Sequence, residues 1–164
     1  VLLFFFFFVT TIDAQKFGHL NANLLLSEMP ETAEADKVLK SYRTDLTNKG
    51  EIMASALQIK YEDFYEKANA GELTQIQMQE MEKKLNTERD ELLAYEQEMQ
   101  QKMAKKREEL YGPILAEVQQ AIDEVGAEND FQFIFDSSVG MNTIVFADDS
   151  VDVMSLVKAK LGIE

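Results

Sequence analysis

Residues 31–111 constrain the fold most strongly, because almost the whole stretch is built from residues that favour the α-helix. Gly50 and the Asn69-Ala70-Gly71 triplet are its only interruptions, and the Gly112-Pro113 pair follows it directly. Apolar residues recur three and four apart in the first half and seven apart in the second, which is typical of a coiled-coil seam. The first set is Leu39, Tyr42, Leu46, Met53, Leu57 and Phe64, and the second is Met78, Leu85, Leu92 and Met99.

The positions of these apolar residues predict an antiparallel hairpin that reverses at residues 69–71. In such a hairpin the position numbers of facing residues have a nearly constant sum, and here five pairs add to 141 or 142: Phe64 with Met78, Leu57 with Leu85, Leu46 with Tyr95, Tyr42 with Met99 and Leu39 with Met103. Gly50 falls opposite Leu92. An arm of about 39 residues would be about 58 Å long, so the hairpin is predicted to project from the rest of the protein.

Gly112-Pro113 is predicted to kink or break the second helix at the point where it loses its hairpin partner. Together with Gly50, this pair forms the candidate hinges. A wider apolar stripe follows and predicts burial in a body: Ile114, Leu115, Val118, Ile122 and Val125.

Both ends of the chain carry strand patterns. A strand is predicted over Lys16 to Ala22 and a short helix over Leu24 to Met29, while FQFIF (Phe131 to Phe135) predicts a well-buried strand and TIVFA (Thr143 to Ala147) a second one. Asp148-Asp149-Ser150 then precedes the stripe of a capped amphipathic helix that ends at Gly162. The fold class is therefore α+β, mainly α, with a body assembled from both ends of the chain.

The first fourteen residues, VLLFFFFFVTTIDA, are typical of a secretory signal peptide whose start is missing, with cleavage after Ala14. A buried N-terminal strand is the alternative. The predicted domains are a signal peptide at 1–14, a body strand and short helix at 15–30, the arm at 31–111 and the rest of the body at 112–164.

Composition excludes several classes of function. Thirty acidic residues against 16 basic ones give a net charge of −14, which argues against binding to nucleic acid and to anionic membranes. The sequence has no cysteine, so disulfides, thiolate metal sites and cysteine nucleophiles are excluded.

Three segments resemble the Skp/OmpH family: GHLNANLLLSEMPE (Gly18 to Glu31), KKREELYGPILAEVQQAI (Lys105 to Ile122) and FIFDSSVGMNTIVFADDSVDVMSLVKAKLGI (Phe133 to Ile163). The resemblance covers essentially the whole chain after the leader. It implies a homotrimer in the periplasm, whose three helical arms enclose a cavity that holds unfolded outer-membrane proteins without ATP. The sequence contains no GxxxxGK[ST] phosphate loop.

Flexible methionine and aromatic side chains suit surfaces that must accept many sequences, although packing between the helices is the default interpretation. The candidate client-contacting residues are Met53, Phe64, Tyr65, Met78 and Met81.

No catalytic, metal-binding or cofactor-binding site is predicted. His19 is the only histidine and is interpreted as structural. Asp148, Asp149 and Asp152 lack the regular spacing of a calcium loop and are interpreted as a helix cap. Lys83, Lys84 and Arg89 are interpreted as solvated helix surface, with an anionic-lipid patch as the alternative.

The predicted function is that of a non-enzymatic, ATP-independent holdase for unfolded outer-membrane proteins. The alternative from another class is a structural coiled-coil scaffold of the cell envelope, which would bind a stable folded partner rather than many unfolded ones.

Overall fold

The computed structural model describes residues 15–140 and 144–163, so the predicted signal peptide lies outside the described residues. The predicted α+β, mainly α class with a long antiparallel helical hairpin is confirmed. In chain order the elements are β1 (Phe17–Leu20), α1 (Ala22–Glu28), α2 (Pro30–Asn69), α3 (Gln75–Glu128), β2 (Phe133–Asp136), a short 3-10 helix (Asp149–Val151) and α4 (Met154–Leu161).

The chain divides into two compact units. The hairpin unit consists of residues 30–114 and contains α2 and most of α3. The terminal unit consists of the described residues of the segments 1–29 and 115–164, and it therefore combines both ends of the chain.

The turn of the hairpin is capped on both sides. Gly71 adopts a left-handed conformation with φ of 70°, and the amide of Glu72 donates to the carbonyl of Lys67, which closes the end of α2. At the start of α3, the side chain of Gln77 accepts from the amide of Thr74, and the hydroxyl of Thr74 accepts from the amide of Gln77. This reciprocal pair is a capping box.

Contacts between α2 and α3 follow the predicted register. Leu57, Phe64 and Leu85 form a buried cluster to which Met78 and Leu92 are packed. The prediction for Gly50 needs a correction, because a Cβ built there would lie 3.4 Å from the ring of Tyr95 and not against Leu92. Tyr95 is the larger side chain at this level and is 6% exposed, so it fills the space beside the glycine.

Pro113 lies inside α3, which continues as one helix to Glu128. The helix is therefore not broken at Gly112-Pro113, and a kink there stays a prediction. A proline removes one helical hydrogen bond and crowds the preceding turn. The helix-forming residues on both sides of Pro113 preserve the remaining hydrogen bonds of this 54-residue helix.

The core of the terminal unit is formed by aliphatic side chains of β1, α1, the end of α3, and α4 with the residue before it. Its most buried members are Leu20, Leu25, Val125, Val153 and Val157. β1 and β2 pair in parallel, with Phe17 opposite Phe133 and Leu20 opposite Asp136. On the other edge of β1, the amide of Val153 donates to the carbonyl of His19 over 2.9 Å.

Two strand predictions at the C-terminal end need correction. FQFIF does contain a strand, but it is not well buried, since Phe133 is 56% and Phe135 42% exposed. Residues 144–147 do not form the second predicted strand, and Thr143 lies outside the described residues. Within the described residues of this single chain, Val145 is 100% and Phe146 83% exposed. The segment therefore neither pairs with another strand nor packs against a core there.

The C-terminal helix starts later than predicted, at Met154. Asp148 instead accepts a hydrogen bond from the amide of Ser150 and caps the 3-10 helix, and Asp152 accepts from the amide of Met154. The predicted acidic cap thus serves the 3-10 turn, whereas the N-cap position of α4 is Val153, which has no side-chain capping bond.

Candidate functional site

The five side chains predicted to contact clients occupy different environments in the hairpin unit. Phe64 is 7% exposed and belongs to the buried cluster, and Met78 and Met81 pack against that cluster. Met53 is half-buried, and only Tyr65, at 58%, is well exposed. Phe64, Met78 and Met81 therefore act in packing between the two helices first. Client contact by any of the five stays a prediction.

A second set of apolar side chains lies on the outside of the hairpin unit and was missed by the sequence analysis. Its members are Ile52 at 70%, Ile59 at 65%, Ile76 at 70% and Leu93 at 51% exposure. The sequence did contain a signal for these residues. The coiled-coil register identifies the seam positions, and none of the four apolar residues lies at one. Large aliphatic residues that a coiled-coil register does not bury are available to bind another molecule.

An aromatic cluster near the turn of the hairpin holds Tyr65 in place. The centroid of its ring lies 5.5 Å from that of Phe64 and 6.4 Å from that of Tyr61. Because Phe64 is fixed in the core, Tyr65 presents an apolar ring to solvent from a supported position.

The candidate hinges differ in their surroundings. A Cβ at Gly50 would lie 3.4 Å from the ring of Tyr95, whereas a Cβ at Gly112 would meet no side chain within 4 Å apart from those of its two neighbours in the chain. Pro113 adjoins Gly112 inside α3. Bending at any of these positions stays a prediction.

The terminal unit carries an exposed aromatic face on its two-stranded sheet. The rings of Phe17, Phe133 and Phe135 lie with their centroids 5.9 to 6.2 Å apart, and each ring is at least 42% exposed. A groove of about 500 Å³ adjoins this face and is also lined by Phe146 and Val151. Within the described part of the chain, no side chain covers these rings fully.

Polar side chains of the terminal unit are engaged in holding its segments together. His19 lies with Nδ1 3.4 Å from the hydroxyl of Ser137 and Nε2 3.2 Å from the carbonyl of Asp148. Asp136 accepts hydrogen bonds from the amide of Ala22 and from both the amide and hydroxyl of Ser138. Burial alone raises the pKa of Asp136, but these hydrogen bonds outweigh it and the pKa is lowered overall.

The acidic side chains and the histidine of the described residues were compared with the geometry of a metal site. Among residues 15–140 and 144–163, no group of three or more His, Asp or Glu side chains is placed to hold a metal ion. The interpretation of His19 as a structural residue agrees with its contacts to two neighbouring segments.

No helix in the described part of the chain combines the length and the apolar character that a membrane crossing requires.

Comparisons with known proteins point to one family. The family model described as "Outer membrane protein (OmpH-like)" matches residues 16–161. No curated protein matches the chain. Among solved structures, a candidate outer membrane chaperone (OmpH-like) from Caulobacter crescentus CB15 has a TM-score of 0.73 and 13% sequence identity, over 90% of this chain and 84% of that chain. At this identity the likeness concerns the fold alone. Because the family match extends over nearly the whole described chain, the protein belongs to the OmpH-like family of outer membrane proteins.

Proposed function

We propose that this protein is a holdase chaperone that binds unfolded outer-membrane β-barrel proteins and prevents their aggregation without ATP and without catalysis. Membership of the OmpH-like family supports a chaperone role, as does the fold it shares with a candidate outer membrane chaperone. The observation that carries the proposal is the set of apolar side chains left exposed along two long helices, above all Ile52, Ile59 and Ile76.

Exposed side chains on a helix surface suit a client that has no fixed shape. An unfolded chain can place any apolar residue against such a surface, whereas a ligand of defined shape needs a concave site. Burial of apolar area contributes roughly 25 cal/mol per Å², so several partial contacts add to useful affinity while each remains weak. Weak, repeated contacts also let the client leave without the help of a nucleotide.

The proposal includes a homotrimer in the periplasm. Its assembly surface would be the aromatic face of the terminal unit, Phe17, Phe133 and Phe135, together with the exposed Phe146. Aromatic residues are enriched in interfaces between subunits. The apolar residues 1–9 support export through a signal peptide.

The molar mass measured by light scattering tests the assembly. The wild-type protein should be a trimer, and that trimer should dissociate when Phe133 is replaced by Ser. A monomeric wild type would reject the proposed trimer.

The function is tested by diluting a urea-unfolded outer-membrane barrel into buffer and following light scattering, with no nucleotide present. We expect the protein to suppress scattering, with saturation near one client per trimer. The triple variant Ile52→Ser, Ile59→Ser and Ile76→Ser should lose about tenfold or more in apparent client affinity.

A matched control keeps the comparison fair. Serine and isoleucine have similar helix propensities, so the triple variant should remain folded. The control triple Ala56→Ser, Gln79→Ser and Ala94→Ser changes exposed residues on the same helices and should leave suppression unchanged. Unaltered scattering with excess wild-type protein, combined with capture of one stable folded partner, would favour the structural scaffold instead.

A further inference from the structure

The chain offers thioethers but no thiols to an oxidant. Its sequence has eight methionines and no cysteine. In such a chain, methionine is the side chain that hydrogen peroxide converts most readily, and the product is the sulfoxide. Five of the methionines lie in the hairpin unit: Met53, Met78, Met81, Met99 and Met103.

A groove beside Gly50 brings solvent to one of these thioethers. The groove has a volume of about 240 Å³ and lies between α2 and α3, with Gly50, Tyr95 and Met99 in its lining. A water molecule takes up about 30 Å³ in the liquid, and hydrogen peroxide is only slightly larger. The groove therefore admits the oxidant to the half-buried side chain of Met99.

Other methionines lie in more closed surroundings. Met29 is 2% exposed and belongs to the core of the terminal unit. Met78 and Met81 pack against the buried cluster of the hairpin unit. Met99 thus combines a position between the two helices with an opening to solvent.

We propose that Met99 is an oxidation site, at which hydrogen peroxide converts the thioether to a sulfoxide and loosens the hairpin beside Gly50. A sulfur–oxygen bond forms as the oxygen–oxygen bond of the peroxide breaks, and the proton of the transferred hydroxyl leaves with the released hydroxide as water. The sulfur loses two electrons and the peroxide gains them, so no further reactant is needed.

The lining of the groove suits a thioether better than a sulfoxide. Its side chains offer two hydroxyl donors, those of Thr47 and Tyr95, and the hydroxyl of Tyr95 already donates to the carbonyl of Leu46 over 2.9 Å. Glu51 and Glu96 also line the groove, and as carboxylates they only accept hydrogen bonds. The sulfoxide oxygen therefore competes with Leu46 for the Tyr95 hydroxyl and is repelled by two carboxylates.

Loosening at this level acts on the weakest part of α2. Glycine disfavours the helix, and the ring of Tyr95 packs beside Gly50 and supports the helix there. Oxidation of Met99 removes part of that support. Methionine sulfoxide reductases reverse the modification, so it would act on the hairpin as a reversible switch.

The test exposes the full protein to hydrogen peroxide and measures oxidation at each methionine by peptide mass spectrometry. We expect Met99 to be oxidised at least about tenfold faster than Met29, because the core closes Met29 to the oxidant. Once Met99 is oxidised, hydrogen exchange of the amides of residues 46–54 should become about tenfold faster, while exchange in β1 and α4 should stay unchanged.

Two matched variants assign the change to Met99. Leucine has nearly the volume of methionine and no sulfur, so Met99→Leu should remain folded and should keep slow exchange at residues 46–54 after peroxide. Met103→Leu removes a thioether one turn further along α3, from a groove whose lining does not include Gly50, and should leave the peroxide effect in place. Circular dichroism before oxidation checks that both variants are folded.

Three outcomes would overturn the inference: equal oxidation rates at Met99 and Met29, unchanged exchange at residues 46–54 once Met99 is oxidised, or faster exchange after peroxide in Met99→Leu as well. The first two comparisons use the wild-type protein, so they decide the matter even when a variant fails to fold. None of the three involves a client, so the inference stands or falls independently of the proposed function.

Discussion

The hydroxyl of Tyr95 on α3 donates a hydrogen bond of 2.9 Å to the backbone carbonyl of Leu46 on α2. In a regular helix that carbonyl also accepts from the amide of residue 50, four positions on. Here residue 50 is a glycine, and the ring of Tyr95 lies in the space that a side chain would take. Tyr95 therefore supports α2 at the position where the helix is intrinsically weakest.

Replacement of Tyr95 by Phe should lower the free energy of unfolding by about 1 kcal/mol, because one buried hydrogen bond is lost while the ring still packs. Urea denaturation followed by circular dichroism measures the change. Tyr65→Phe, at an exposed ring, is the control and should change stability little. Equal effects of the two substitutions would contradict a special role for the Tyr95 hydroxyl.

Gly50→Ala should stabilise the protein by up to about 1 kcal/mol, since alanine favours the helix and its Cβ would meet the Tyr95 ring at an ordinary contact distance of 3.4 Å. Gly112→Ala should give a smaller gain, because the proline that follows disfavours the helical conformation of a residue that carries a Cβ. If Gly50 is a hinge, Gly50→Ala should also narrow the size range of clients that are kept from aggregating. An unchanged size range in the light-scattering assay would remove Gly50 from the candidate hinges.

Gly18→Ala should destabilise the protein by about 1 to 3 kcal/mol. A Cβ at this position in β1 would lie 3.0 Å from Val153 and 3.1 Å from Phe131, so the added methyl group overpacks the terminal unit. At Gly126 in α3 the nearest atom, on Ile134, is 3.7 Å away, and Gly126→Ala should be tolerated. Thermal unfolding distinguishes the two variants. Equal stability of Gly18→Ala and Gly126→Ala would show that β1 moves to accommodate the added methyl group at little cost in free energy.

The hairpin could be predicted from sequence because its information is periodic and local. Seam residues such as Leu57 and Leu85 repeat at helical spacing. Because the position numbers of two facing residues have a constant sum, the sequence also indicates which seam residues face each other. That sum could not predict that Tyr95 and not Leu92 packs beside Gly50, because the orientation of the Tyr95 ring depends on side-chain packing. Continuation of α3 through Pro113 likewise depends on the whole helix and not on the local pair.

The terminal unit was harder to predict because its contacts join distant parts of the chain. β1 pairs with β2 across more than a hundred residues, and no periodicity in the sequence specifies that pairing. The aromatic pattern of Phe131 to Phe135 predicted burial, yet within one chain Phe133 and Phe135 remain exposed. Exposed Ile52 and Ile59 were not predicted for a different reason, since the heptad pattern specifies the residues of the seam and carries no information on the apolar residues outside it.

Acid should destabilise the terminal unit partly through Asp136. Burial favours the protonated carboxyl, but the hydrogen bonds from Ser138 and Ala22 favour the carboxylate more, so the pKa in the folded protein lies below its ordinary value of 3.8. The unfolded chain then binds protons more readily than the folded one. This contribution to stability is complete well above pH 4 and is lost as the pH falls through the folded pKa.

The measurement is the free energy of unfolding between about pH 2 and pH 6 for the wild type and Asp136→Asn. The variant should show a shallower decline below about pH 4. Some decline should remain, because hydrogen bonds from the side chain and amide of Ser150 lower the pKa of Asp148 in the same direction. Ser138→Ala removes one donor and should also flatten the slope, and adding Asp136→Asn to it should have a smaller effect than in the wild type. Full additivity of the two substitutions would show that Ser138 does not act through Asp136.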